Sequence, residues 1–165
     1  MIDEIDRQIL NILQQNARTS NAEIARQIDM APSAVLERIR RLEAKGVIQG
    51  YEARINPEAL GLNVLAFVFV RSRDFDGEAK TVELLSQIPE VLEAHHIAGE
   101  DCFLLKVRMP DAKSLGRLLR ERIGSTGDVQ STRTTIVLET VRESARLPLE
   151  TPQASLQEEE EEVFP

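Results

Sequence analysis

Cysteine is nearly absent: Cys102 stands alone in 165 residues. No intrachain disulfide can form, and with no Cys-x-x-Cys pair a zinc site is not expected. A reducing, cytoplasmic setting is the default for such a chain. No apolar run approaches the ~20 residues of a membrane span, and no signal peptide opens the sequence. Histidine is also scarce, and His95 and His96 are adjacent. On an extended segment they point to opposite faces, so one metal cannot easily take both, and structural roles are expected. A Gly-rich phosphate loop and a nucleophile elbow are both missing. At the level of motif nothing indicates catalysis or a cofactor.

Positive charge is in deficit overall, with a formal net charge of −8. Taken whole, that opposes nucleic-acid binding. Its distribution does not. Glu150 and the run Glu158 to Glu162 carry −6 of the total, leaving −2 for everything before them. Between Ala31 and Gly50, Arg38, Arg40, Arg41 and Lys45 outweigh Glu37 and Glu43 by +2. The acidity sits away from this basic stretch.

That stretch, PSAVLERIRRLEAKG from Pro32 to Gly46, reads as a helix with both ends marked. Pro32 suits the first helical position and Gly46 the left-handed residue beyond the last. Val35, Ile39 and Leu42 form one inward stripe. Ser33, Glu37, Arg40 and Arg41 lie opposite, with Arg38 at the flank. Arginine's planar fork matches phosphates and guanine edges. Alone, the helix reads equally well as a solvated charged face.

The residues before it decide. Asp3 can cap a helix carrying Ile5, Ile9, Ile12 and Leu13, ending near Gln15. Ser20-Asn-Ala-Glu23 is a capping box for a short helix with Ile24, Ala25 and Ile28 inward. Asp29-Met30-Ala31 is a tight turn. Three helices, the last two joined by about three residues, describe a helix-turn-helix unit, with a generic three-helix bundle as the plainer alternative. Val47 to Ile55 alternates loosely and is expected to be an extended strand, with residues 50–60 leaving the first domain.

The second half is patterned differently. Leu62 to Arg71 is apolar on both faces, as in a strand covered on both sides. Asp76 to Ile88 reads as a helix, Val91 to Ala98 and Cys102 to Met109 as strands. Asp111 to Gly124 is a capped helix, and Val129 to Glu139 a last strand. The order β-α-β-β-α-β is the ferredoxin-like plan, so the fold class is α+β: a helix-turn-helix (winged-helix-like) domain followed by a ferredoxin-like domain. Both helices should cover one sheet face, leaving the other in need of a partner, most simply a second copy. The expected divisions are 1–50, a connector 51–61, 62–142, and an acidic disordered tail 143–165.

The segments DEIDRQIL, RTSNAEIA, PSAVLERIRRLEAKGVIQGY, INPEALGL and TRTTIVLE, in this order, resemble the Lrp/AsnC family of regulators, also called feast/famine regulatory proteins. The resemblance covers residues 2 to about 142. It implies double-stranded DNA as a partner, a second domain that makes dimers and often octamers, and small effectors, usually amino acids, near the loop between the second and third strands. No membrane partner is implied. The DNA-contacting set is then Ser33, Glu37, Arg38, Arg40 and Arg41. The effector set is Gly99, Glu100, Asp101 and Cys102 in the loop, with Thr132 and Thr134 completing a polar pocket between protomers. On spacing alone the loop is a hairpin with solvent-facing acids.

This sequence departs from many members at three places. Asp29 stands where Gly is common, which implies φ > 0 at a non-glycine. Ala31 stands where a serine caps the helix. Cys102 replaces a second acid in the sensing loop. One enzymatic alternative shares the architecture, the siroheme decarboxylases. His95 or His96 with Arg108 or Arg133 would be the donors there.

Overall fold

The computed structural model describes residues 2–73, 80–99, 101–126 and 128–149. The chain falls into two compact units. The first comprises residues 2–54 with 143–149, the second residues 55–142.

In the first unit, helix α1 runs Glu4–Gln15, α2 Asn21–Gln27 and α3 Pro32–Ala44. Asp3 caps α1 by accepting the Asp6 amide at 2.8 Å, and the Asp6 carboxylate takes the Asp3 amide in return. Ser20 caps α2 through the Glu23 amide. The expected return bond from Glu23 is replaced: its carboxylate turns to Arg26 and Gln27 on its own helix. Asp29 adopts φ 53°, as its place in the turn required. Ala31 has the dihedrals of a capping residue, φ −71° and ψ 137°, but supplies no side-chain bond. At the other end Gly46 takes φ 67°. There the Gly46 amide bonds Glu43 and the Val47 amide bonds Leu42, both at 2.9 Å. That pair closes the last carbonyls of α3, and only glycine takes this φ without strain.

The inward stripes meet as read. Ile9, Ile24, Ala25, Val35 and Ile39 form the core, with Ile5, Ile12, Leu13, Ile28, Met30 and Ile48 around it. One polar side chain lies at its edge, Asp6, which is 2% exposed.

Two expectations fail here. Residues 47–55 form no strand. Alternation alone does not make one, because a strand needs a ladder partner for its backbone groups, and no described segment supplies it. Tyr51 instead donates its hydroxyl to Glu43 at 2.9 Å, and burial together with that carboxylate pushes its phenol up to about 12. Residues 143–149 are not a loose tail. Gln14 exchanges bonds with both backbone groups of Leu147, at 2.7 and 3.2 Å. Arg7 donates to the Leu149 carbonyl and Arg54 to that of Glu143, each at 3.1 Å. Polar side chains on α1, invisible to a periodicity argument, hold the segment.

In the second unit, strands β1 (Val64–Ser72), β2 (Val91–His96), β3 (Phe103–Met109) and β4 (Val129–Ile136) form a sheet in the order β2-β3-β1-β4. All neighbours are antiparallel. Helix α4 (Lys80–Ser86) and helix α5 (Ala112–Leu118) complete the plan, and α5 continues as one π-helical turn, Leu119–Ile123. The start read for α4, residues 76–79, lies outside the described residues.

Ala66, Val68 and Val70 of β1 and Phe103, Leu105, Val107 and Met109 of β3 share one face. They bury against Leu85 and Ile88 near α4 and Leu115, Leu118 and Ile123 near α5. Both helices therefore cover the same face. On the other face the register aligns Leu65, Phe67 and Phe69 with Arg108, Lys106 and Leu104. Phe67, Phe69 and Leu104 are only half-buried there.

Ala31→Ser should restore a cap at a position whose backbone already matches that of Ser20. Urea unfolding is expected to show a gain of about 0.5–1 kcal/mol.

Candidate DNA-reading helix and effector loop

The turn before α3 is fixed by the Met30 amide, which bonds the Ala25 carbonyl at 2.9 Å, and by the left-handed Asp29. Helix α3 then projects Ser33, Glu37 and Arg40 outward, all exposed. Arg40 makes no hydrogen bond or ion pair among the described residues. Three groups on one outer face, one cationic, one hydroxyl and one anionic, offer both donors and an acceptor to base edges.

The other two arginines are placed differently. Arg38 Nη1 donates to Asp3 Oδ1 and Oδ2 at 2.9 and 2.7 Å and to Asp6 Oδ1 at 2.8 Å. Arg41 Nη2 donates to Asp6 Oδ1 and Oδ2 at 3.1 and 3.2 Å. The Arg38 side chain is 21% exposed, that of Arg41 47%. Arg38 thus faces α1, and Arg41 is shared between Asp6 and solvent. Helical spacing puts Arg38 at the flank of the inward stripe and Arg41 opposite it, and Asp6 draws both toward α1. The signal for Asp6 in the sequence was faint: a carboxylate three residues after a capping aspartate, at the edge of an apolar stripe. The Arg38 hydrogen bond, with help from the Asp6 amide, holds the Asp3 carboxyl below its ordinary value of 3.8, and Asp3 in turn raises Arg38.

The second candidate is the loop between β2 and β3. Gly99 has φ 139°, a conformation open to glycine and strained for other residues. The Ile97 amide bonds the Cys102 carbonyl at 3.0 Å, and the Cys102 amide bonds Val70 of β1 at 2.9 Å. The Cys102 thiol lies 3.8 Å from the Ser72 carbonyl, half-buried beside the core. Asp101 accepts from Arg133 Nη2 at 2.9 Å, and the Arg133 guanidinium lies 3.9 Å above the Phe69 ring. Arg133 is the residue sequence reasoning left out of this site. It stands between Thr132 and Thr134, and β-strand alternation turns it to the other side.

Within one chain, that alternation also turns the threonines and Arg133 to opposite faces. Thr132 and Thr134 pair with Val70 and Val68, on the helix-covered face, whereas Arg133 pairs with Phe69 on the open face. Asp101 bonds Arg133 and so belongs with the open face. The two threonines and Asp101 are not brought together within one chain. Glu100 lies outside the described residues.

His95 and His96 face opposite ways, as two neighbours on a strand must. His95 sits by Glu93 and His96 packs its ring 5.4 Å from that of Phe103. No cluster of metal-binding side chains occurs among the described residues. None of their helices is long and apolar enough to cross a membrane.

A compact helix-turn-helix unit with an outward-facing polar and basic third helix, joined to a ferredoxin-like unit with an open apolar sheet face, defines a two-unit DNA-binding regulator. Residues 2–49 match the winged helix-turn-helix DNA-binding family, and residues 64–147 match the Lrp/AsnC ligand binding domain. The chain belongs to the Lrp/AsnC family. It is 38% identical over 154 residues to the leucine-responsive regulatory protein of Escherichia coli K12, covering 91% of this chain and 93% of that one. Among solved structures it is similar to the feast or famine regulatory protein of M. tuberculosis complexed with L-methionine. The TM-score is 0.83 and the identity 39%, over 89% of this chain and 99% of that chain. A Neisseria meningitidis transcriptional regulator in complex with L-methionine gives a TM-score of 0.82 at 29% identity, over 90% and 97%. This protein is accordingly a DNA-binding transcriptional regulator with a ligand-binding domain. Neither the geometry nor these relatives favour the siroheme decarboxylase alternative.

Two outcomes follow from the carboxylate cluster. Asp6→Ala leaves Arg38 facing α1 with half its partners gone. Urea denaturation should show a loss of about 2–3 kcal/mol, below the range for a fully buried pair because Arg41 stays partly solvated. For Asp3, a depressed folded pKa means its contribution is complete above the ordinary value of 3.8 and is lost as pH falls through the lowered one. Asp3→Asn should therefore flatten the fall in stability below about pH 4 in a series of urea titrations at stepped pH.

Proposed function

We propose that α3 enters the major groove and reads sequence with Ser33, Glu37 and Arg40. Arg41 reaches a phosphate from beside Asp6, and Arg38 sets the helix against α1. The observation that carries this is the contrast among the arginines. Arg40 is exposed and uncommitted among the described residues, whereas Arg38 and Arg41 are held by Asp6. Glu37 accepts from a cytosine amino group and repels phosphate, so it tunes preference more than affinity. Arg40→Ala should weaken operator binding by about 1–3 kcal/mol with the fold intact, and Glu37→Ala should reorder preference among operator variants, both in gel shifts. Wild-type binding by Arg40→Ala would remove α3 as the reader.

The second unit supplies assembly. Phe67, Phe69 and Leu104 leave an apolar strip on an uncovered sheet face, which a second copy would bury. A dimer presents two copies of α3 related by a two-fold, so operator half-sites should be inverted and spaced about one helical turn or a multiple apart. Phe69→Lys should dissociate the assembly in light scattering. A wild-type monomer at micromolar concentration would sink this reading.

The effector is an amino acid, held at the β2–β3 loop. Two relatives bound to L-methionine support the class. Within this chain, Asp101 and Arg133 present an acid and a base 2.9 Å apart beside Gly99. An amino-acid zwitterion carries the complementary pair, and loop amides next to glycine suit its carboxylate. Cys102 flanks the site, and Glu100 precedes Asp101 in sequence. Thr132 and Thr134 enter only from a neighbouring protomer. Binding at an assembly contact shifts the population of assembly states, with a coupling of typically ~1–3 kcal/mol. Screening the twenty amino acids by thermal shift should give a hit that Gly99→Trp and Asp101→Asn both abolish. A hit unchanged in both variants places the pocket elsewhere.

A further inference from the structure

We propose that the acidic C-terminal run of this chain docks on the outer face of α3 and competes there with DNA. The proposal rests on α3 being the DNA-reading helix. Residues 150–165 lie beyond the described residues, and the docking is argued from where the chain leaves off, from charge, and from reach.

The residues just before the run are held on α1 and travel in a definite direction. Leu147 sits at Gln14, near the C-terminal end of α1, and Leu149 at Arg7, near its N-terminal end. The segment therefore runs antiparallel to the helix, toward Asp3 and Asp6. Those are the residues to which Arg38 and Arg41 of α3 attach. The chain is delivered, at Leu149, to the end of α1 that α3 is tied to.

Beyond Leu149 come Glu150 and the consecutive carboxylates Glu158 to Glu162. The cations that α3 and its C-cap offer are Arg40 and Lys45, both exposed and neither in an ion pair among the described residues, and Arg41, whose side chain is 47% exposed. Glu37 and Glu43 lie on the same helix and oppose docking locally. The α3 stretch still keeps its excess of +2, against −6 on the tail.

Reach is sufficient. Glu158 stands nine positions after Leu149, which spans about 30 Å when extended. Helix α3 has 13 residues and is roughly 20 Å long. The run can thus lie anywhere along the face. Tethering makes the contact intramolecular, at an effective concentration on the order of millimolar.

The experiment uses the full chain, a chain ending at Leu149, and a full chain with Glu158 to Glu162 all changed to Gln. Each is titrated against a fluorescein-labelled mixed-sequence duplex of about 40 base pairs by anisotropy. At low salt both altered chains should bind about fivefold tighter or more than the wild type, with the gap closing at about 0.3 M salt as the ion pairs are screened. Carbodiimide treatment of the full chain should join the Glu158–Glu162 peptide to Lys45 within the monomer band of a denaturing gel, and excess duplex should suppress that link. Equal affinities overturn the proposal. So does tighter binding without a Lys45 link, which is a general field effect, and so does a link found only in the dimer band, which assigns the tail to a neighbouring copy. If Arg40→Ala in the shortened chain binds DNA unchanged while the full chain still forms the Lys45 link, the reading of α3 has failed and the docking has not.

Discussion

The Asp6 carboxylate is the constraint on which the DNA-binding unit depends. It is 2% exposed and accepts from the Asp3 amide, from Arg38 and from Arg41. A buried carboxylate is tolerated only when its oxygens are filled by donors, and here the donors come from two different helices. Apolar packing of Ile9 against Val35 and Ile39 holds α1 and α3 together, but packing alone tolerates sliding. Directed bonds from a fixed carboxylate set the register between the helices. They also sort the arginines. Two are drawn toward α1, which leaves Arg40 to face outward with Ser33 and Glu37. The chemistry of the outer face is therefore a consequence of a contact on the inner side.

The second unit is governed by an imbalance. Two helices cover one side of a four-stranded sheet, and on the other side Phe67, Phe69 and Leu104 stay half-buried beside Lys106, Arg108 and Arg133. The same uncovered side carries Arg133 over Phe69 and, through it, Asp101. The loop held by Gly99 thus abuts the surface on which two copies would meet. A ligand and a second copy meeting that face would be physically coupled without any long-range pathway, because both would act on one face.

Much of this was legible from residues alone. Helix ends announced themselves through Asp3, Ser20, Pro32, Gly46 and Asp111, and the inward stripes of all three N-terminal helices appear in the core. The succession β-α-β-β-α-β was legible in the patterning. What stayed hidden was tertiary in origin. No local pattern pairs Asp6 with residues 32 and 35 positions away. Residues 47–55 alternate like a strand but have no ladder. The sequence 143–149 carries no period, yet side chains from α1 and Arg54 hold its backbone. Thr132 and Thr134 share one face of β4, as two residues apart on a strand must, and Arg133 between them turns to the other, where it meets Asp101.

The central claim is that the outer face of α3 is where DNA lies. Hydrogen–deuterium exchange tests it most directly, using the full chain with and without a duplex selected by the protein from a random-sequence pool. Peptides covering residues 31–44 should gain protection on binding, with little change in α4 and α5. Protection confined to the second unit, with α3 exchanging at its free rate, would contradict the account.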